Sequence, residues 1–152
     1  MTVSVSLLPR IGCFSDTGFF YALTDPADRW HQACLQLLTQ VQQHRRVLVT
    51  TNFVIAETHA LLLHRKGQKV ALAWLDQVER LAHVERVTEG DERQAKDILR
   101  RYADQTFTLT DALSFAVITR LGLTVVLSVD RHFLAFQGNF TVLPLSGTQL
   151  PP

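Results

Sequence analysis

The stretch Leu109–Phe133, LTDALSFAVITRLGLTVVLSVDRHF, decides how the rest of the chain is read. Apolar residues run through its first half at helical length, behind a threonine that can cap and an aspartate in the first turn. Gly122 supplies the helix stop. Thr124–Val129 is then a continuous apolar run of mostly β-branched residues, the pattern of a strand covered on both faces. Asp130 ends it. A helix feeding a doubly covered strand is half of a βαβ unit, so a mainly parallel sheet with helices on both faces is expected.

The same alternation extends outward. Arg10–Ser15 (RIGCFS) reads as the first strand, ended by Asp16, and Gly18–Thr24 as a short helical turn. Asp25-Pro26 breaks the chain, and Pro26 suits the first turn of a helix from Ala27 to Gln43. Val47–Thr50 is a second strand, and Thr51 or Asn52 can cap a helix from Phe53 to Arg65. Gly67 separates it from an amphipathic helix, Gln68–Leu81. His83–Val87 reads as an edge strand and Gly90–Tyr102 as a charged helix. Thr110 is the expected cap of a helix over Asp111–Leu121. Arg131–Phe136 reads as a short turn or helix, and Phe140–Leu143 as the last strand. Residues 1–9 are expected as a loose leader ahead of one domain, 10–152.

Composition narrows the function classes. A chain of 152 residues with a formal charge of +1 has no global field to attract a polyanion. Local basic clusters (His44-Arg45-Arg46, Arg65-Lys66 with Lys69, Arg100-Arg101) read most simply as solvated helix ends. Cys13 and Cys34 lack metal spacing and a CxxC motif, which suits free thiols in a cytoplasmic protein. No stretch approaches the roughly 20 apolar residues of a membrane span. GxGxxG, P-loop and GxSxG motifs are absent, which argues against nucleotide-cofactor and serine-hydrolase chemistry.

The acids carry more information. In open α/β sheets ligands bind beyond the carboxyl ends of the strands. Asp16 and Asp130 each end a strand, and Asp111 opens the helix before the second of them. Glu57 lies among apolar residues in the helix that follows the second strand. Taken singly, Asp111 can complement a helix dipole, Asp16 and Asp130 can be turn residues, and Glu57 can point to solvent. Gathered at one rim, the four would repel each other and disfavour folding unless a cation shared the space. Oxygen-only ligands select a hard ion, Mg²⁺ or Mn²⁺. Such an ion supplies the positive charge that a nearly neutral chain lacks toward a phosphodiester. Asp104, in the loop before Asp111, is a candidate supporting acid. His132 reads as structural or surface, although Arg131 and His132 follow Asp130 closely enough to meet a phosphate.

FSDTGFFYAL (14–23), VTTNFVIAETHALL (49–62), LTDALSFAVITRLG (109–122) and VLSVDRHF (126–133) together resemble the four blocks of the PIN domain, in that family's order. The similarity is strongest to VapC-like members, the ribonuclease toxins of toxin–antitoxin pairs. It implies a three-layer α/β/α fold and Mg²⁺- or Mn²⁺-dependent cleavage of single-stranded or loop RNA. It also implies a homodimer and a VapB-like antitoxin partner. Carried onto matching positions, it makes Asp16, Glu57, Asp111 and Asp130 the acidic metal-binding and catalytic set. Thr17 and Ser128 then stand where small hydroxyl residues support that set, with a lesser role for Asp104. Gly18 departs from the pattern, since serine is common there. The competing expectation is a PIN-fold module that binds RNA or protein without turnover. A flap-type nuclease ranks last, because nothing in the chain supplies an arch or clamp for a duplex.

Overall fold

Five short strands arise from the apolar runs: β1 Gly12–Ser15, β2 Val47–Thr51, β3 Ala82–Glu85, β4 Val125–Ser128 and β5 Thr141–Pro144. In the computed structural model, which describes residues 3–152, they form one sheet in the order β3-β2-β1-β4-β5, every neighbouring pair parallel. Met1 and Thr2, the start of the expected leader, lie outside the described residues. Every residue of β1 and β4 is buried, which explains their lack of polar alternation.

The helices are α1 Leu8–Ile11, α2 Thr17–Thr24, α3 His31–Gln43, α4 Asn52–Lys66, α5 Gln68–Leu81, α6 Glu89–Arg101, α7 Leu109–Leu121 and α8 His132–Ala135. They cover both faces of the sheet and complete the expected three-layer α/β/α architecture. From β1 the chain steps outward through β2 to β3, then crosses back over α6 and α7 to β4. The order therefore reverses between β1 and β4, the point at which open α/β sheets place their ligand crevice, beyond the carboxyl ends of the strands. Among the described residues no helix is long and apolar enough to cross a membrane.

Three elements start two or more residues away from expectation, each for a local reason. The first strand begins at Gly12 because Leu8–Ile11 forms a helical turn, with Leu8 fully buried in the core. A Cβ on Gly12 would stand 2.7 Å from the Leu8 carbonyl oxygen, so the turn into β1 needs glycine. The helix expected from Ala27 starts at His31. The Asp25 and Asp28 carboxylates accept from the Ala27 and Trp30 amides at 3.0 and 2.8 Å, local bonds that hold the segment in turns. α7 starts two residues earlier than expected, because Thr108 rather than Thr110 is its cap. Thr108 Oγ1 accepts from the Asp111 amide and Asp111 Oδ2 accepts from the Thr108 amide, both at 3.0 Å.

Two sets of contacts fix α7 over the sheet. Phe115 packs edge-on against Phe107 and Phe133 and stacks on Phe136 at 4.3 Å, joining α7 to the loop before it and to α8. At the other end of α7, Arg120 makes a two-pronged pair with the buried Asp91 of α6, at 2.8 and 2.9 Å. Arg120 Nη1 also donates to Glu85 of β3 at 3.0 Å. Burial pushes the Asp91 carboxyl up, but Arg120 and the Thr88 amide outweigh it and hold Asp91 below the usual carboxylate range.

A depressed folded-state value means that the Asp91 contribution is present above about pH 4 and lost as the pH falls further. Asp91→Asn is expected to lose about 2 kcal/mol at neutral pH in urea denaturation. Between about pH 5 and about pH 3 it should weaken less than the wild type. Parallel decline of the two proteins over that range would contradict the role of the pair.

Candidate metal centre

The crevice gathers the four acids that the sequence singles out. Asp16 leaves the end of β1 at the N-cap position of α2, and its own amide donates to the Leu127 carbonyl of β4 at 3.1 Å. That bond ties the first acid to the strand that delivers the second, Asp130. Asp111 arrives from the first turn of α7, and Glu57 from α4, which packs against α2. Asp16 and Asp111 are buried, whereas Asp130 and Glu57 are partly exposed.

Small hydroxyls connect them. Ser128 Oγ donates to Asp16 Oδ2 at 3.2 Å and accepts from the Asp130 amide at 3.0 Å. Thr17 Oγ1 donates to Glu57 Oε2 at 2.8 Å. Thr58, absent from the sequence reading, donates to the Val54 carbonyl and lies 3.3 Å from Thr17 Oγ1. Its buried hydroxyl sits directly after Glu57, and that adjacency was the available signal.

Burial raises the Asp16 carboxyl most, the Thr17 amide pulls it back, and the charges of Asp111, Asp130 and Glu57 add to the rise, which together bring it to about 7. All three other acids therefore act on Asp16. Asp104 differs from them: it is exposed in the loop after α6, and Gln105 Nε2 donates to it at 3.4 Å.

His132, read from sequence as a structural or surface residue, stands inside the cluster. Its Nδ1 lies 2.9 Å from Asp111 Oδ2 and 3.6 Å from Asp130 Oδ1, and its amide donates to Asp130 Oδ1 at 2.9 Å. One ligand atom from each of Asp111, Asp130 and His132 fits within a span of 4.8 Å. A divalent cation suits these residues. It matches the close spacing of donors, and it offsets the charge that a buried Asp16 must otherwise carry among three like charges.

Gly18 accounts for its own departure from the family pattern. A Cβ there would lie 2.6 Å from Val129 Cγ2, so α2 and the end of β4 touch at this point. This close approach sets the separation of the segments that carry Asp16 and Asp130.

Comparison with known proteins places these observations among relatives. The PIN domain model matches residues 13–139. The chain is 32% identical over 123 residues to the 23S rRNA-specific endonuclease VapC20 of Mycobacterium tuberculosis, covering 80% of this chain and 92% of that one. The crystal structure of that protein, described as a Sarcin-Ricin loop cleaving toxin, superposes with a TM-score of 0.72 at 31% identity. That match covers 81% of this chain and 93% of the other. The fold is also similar to that of VapBC2 from Rickettsia felis, with a TM-score of 0.64 at 12% identity over 87% of this chain and 97% of that one.

Serine at position 18 should crowd Val129. Gly18→Ser is expected to lower stability by about 1–3 kcal/mol, and adding Val129→Ala should recover most of the loss. Urea denaturation of the single and double variants measures this, and a neutral Gly18→Ser would contradict the contact.

Proposed function

The chain belongs to the PIN domain family, and from that premise we propose that it is a divalent-metal-dependent endoribonuclease, the toxin of a toxin–antitoxin pair. The observation that carries this reading is the buried Asp16, surrounded by Asp111, Asp130 and Glu57 at the point where the sheet order reverses. Proteins avoid burying like charges without a partner, and the partner that fits this donor set is a cation.

In this reading Asp16, Asp111 and Asp130 hold Mg²⁺ or Mn²⁺, and Glu57 completes the set or orients the attacking water. When bound, the ion draws the phosphodiester to a nearly neutral protein, assists formation of the nucleophile and stabilises charge on the leaving oxygen. The chain's own work is positional. Ser128 keeps Asp16 and Asp130 in register, and Thr17 turns Glu57 toward the crevice. Asp104, exposed in the loop between α6 and α7, keeps a lesser, supporting role.

The substrate is RNA in single-stranded or loop form, whose unstacked bases and exposed backbone can enter an open crevice. The ribosomal loop named for the relative is the first substrate to try. The resemblance to VapC-like proteins implies a VapB-like antitoxin and a homodimer. Buried free thiols at Cys13 and Cys34 suit a reducing, cytoplasmic setting.

The test is cleavage of a mixed single-stranded RNA pool by wild type and Asp16→Asn, each with Mn²⁺, with Mg²⁺ and with EDTA. Metal-dependent cuts are expected in the wild type, with none in EDTA and none from the variant, while melting curves show the variant folded. Cleavage retained by folded Asp16→Asn would sink the site. A folded, antitoxin-free wild type that binds RNA without cutting it in either metal would replace the enzyme with the binding-module reading.

A further inference from the structure

The acidic set is complete without a histidine, yet the His132 ring sits within it. Donor atoms held at about 2.1 Å by one octahedral divalent ion stand about 3 Å apart when adjacent. Nδ1 of His132 lies 2.9 Å from an Asp111 oxygen and 3.6 Å from an Asp130 oxygen, which is the spacing of neighbouring ligands. We propose that His132 coordinates the metal directly through Nδ1, so that the centre has a nitrogen donor beside its carboxylates. The inference rests on the metal-site reading above and deepens it.

The surroundings of the ring suit this role. A ligating imidazole donates its other N–H to a nearby acceptor, which fixes its tautomer and orientation. Nε2 of His132 has Thr106 Oγ1 at 3.1 Å, in position to accept that proton. Phe107 packs edge-on against the ring with centroids 5.4 Å apart, and the His132 amide is tied to Asp130. The ring is thus held from three sides with Nδ1 directed at the two acids. Without metal, Nδ1 carries a proton and donates to Asp111 Oδ2. Metal binding requires the other neutral tautomer: the ring's single proton is exchanged through solvent from Nδ1 to Nε2, where it donates to Thr106 Oγ1, and the Nδ1 lone pair is left free for the ion.

A nitrogen ligand changes which ion the site favours. Carboxylate and water donors suit Mg²⁺, whereas imidazole favours later transition metals. The site should therefore discriminate for Mn²⁺, and more strongly for Co²⁺, against Mg²⁺ beyond what an all-oxygen site would. His132→Ala should remove the nitrogen-dependent part of that preference, about tenfold in the Co²⁺-to-Mg²⁺ affinity ratio.

The experiment needs no RNA. Metal-free protein is loaded with Mn²⁺, and pulsed electron paramagnetic resonance is used to look for the nitrogen coupling of a directly bound imidazole. Wild type should show it, and His132→Ala should bind Mn²⁺ without it. Calorimetric titration with Co²⁺ and Mg²⁺ then measures the change in ratio. Mn²⁺ bound in the wild type, displaced by Asp16→Asn, but with no nitrogen coupling would overturn the proposal and leave His132 as a residue that orients Asp111 by a hydrogen bond. Failure of the nuclease reading looks different: Mn²⁺ binds with nitrogen coupling while RNA stays intact. Failure of wild type to bind Mn²⁺ overturns both.

Discussion

β1 and β4 lie side by side and parallel, so the residues that leave them emerge at one edge of the sheet. This pairing brings Asp16 and Asp130 together, and the rest of the structure accommodates the consequence. Two carboxylates at adjoining strand ends, joined by Asp111 and Glu57, make a local cost that an apolar core alone cannot remove. The hydroxyls of Ser128 and Thr17 and the cap of α7 each satisfy part of an acid's hydrogen-bonding demand. They leave the net negative charge in place, and the proposed metal reading rests on that residual charge.

A cluster of repelling groups persists only on a frame that resists its relaxation. The phenylalanines around Phe115 bind α7, α8 and the loop before α7 into one unit, which carries Asp111 and His132. The Asp91–Arg120–Glu85 network anchors the far end of α7 to α6 and to the sheet edge. The contact of Gly18 with Val129 sets the distance between the segments holding Asp16 and Asp130. Fold stability and site geometry therefore depend on the same elements.

Much of this was readable in the chain. The β-branched run of β4 required cover on both faces, and helix-length segments between apolar runs required parallel crossovers, so the layered architecture followed. Acids at strand ends could be placed at the rim because that rule depends on topology and not on contacts. The start of α7 was misread because two threonines compete as caps, and only the reciprocal bond with Asp111 selects Thr108. The extra turns before β1 and α3 depend on single side-chain-to-backbone bonds and one close approach, which periodicity does not encode. His132 was undervalued for a related reason. A histidine after an aspartate is common at surfaces, and only three-dimensional placement shows its ring between Asp111 and Asp130.

In the proposed reading this fold holds carboxylates together for a cation to neutralise. Thermal unfolding with and without Mn²⁺, near pH 8, tests it most directly by comparing wild type with Asp16→Asn. In EDTA the variant is expected to melt higher than the wild type, because it lacks the buried repelling charge. Mn²⁺ is expected to raise the wild-type transition far more than that of the variant. A variant that melts lower than the wild type in EDTA, together with equal responses to Mn²⁺, would contradict it.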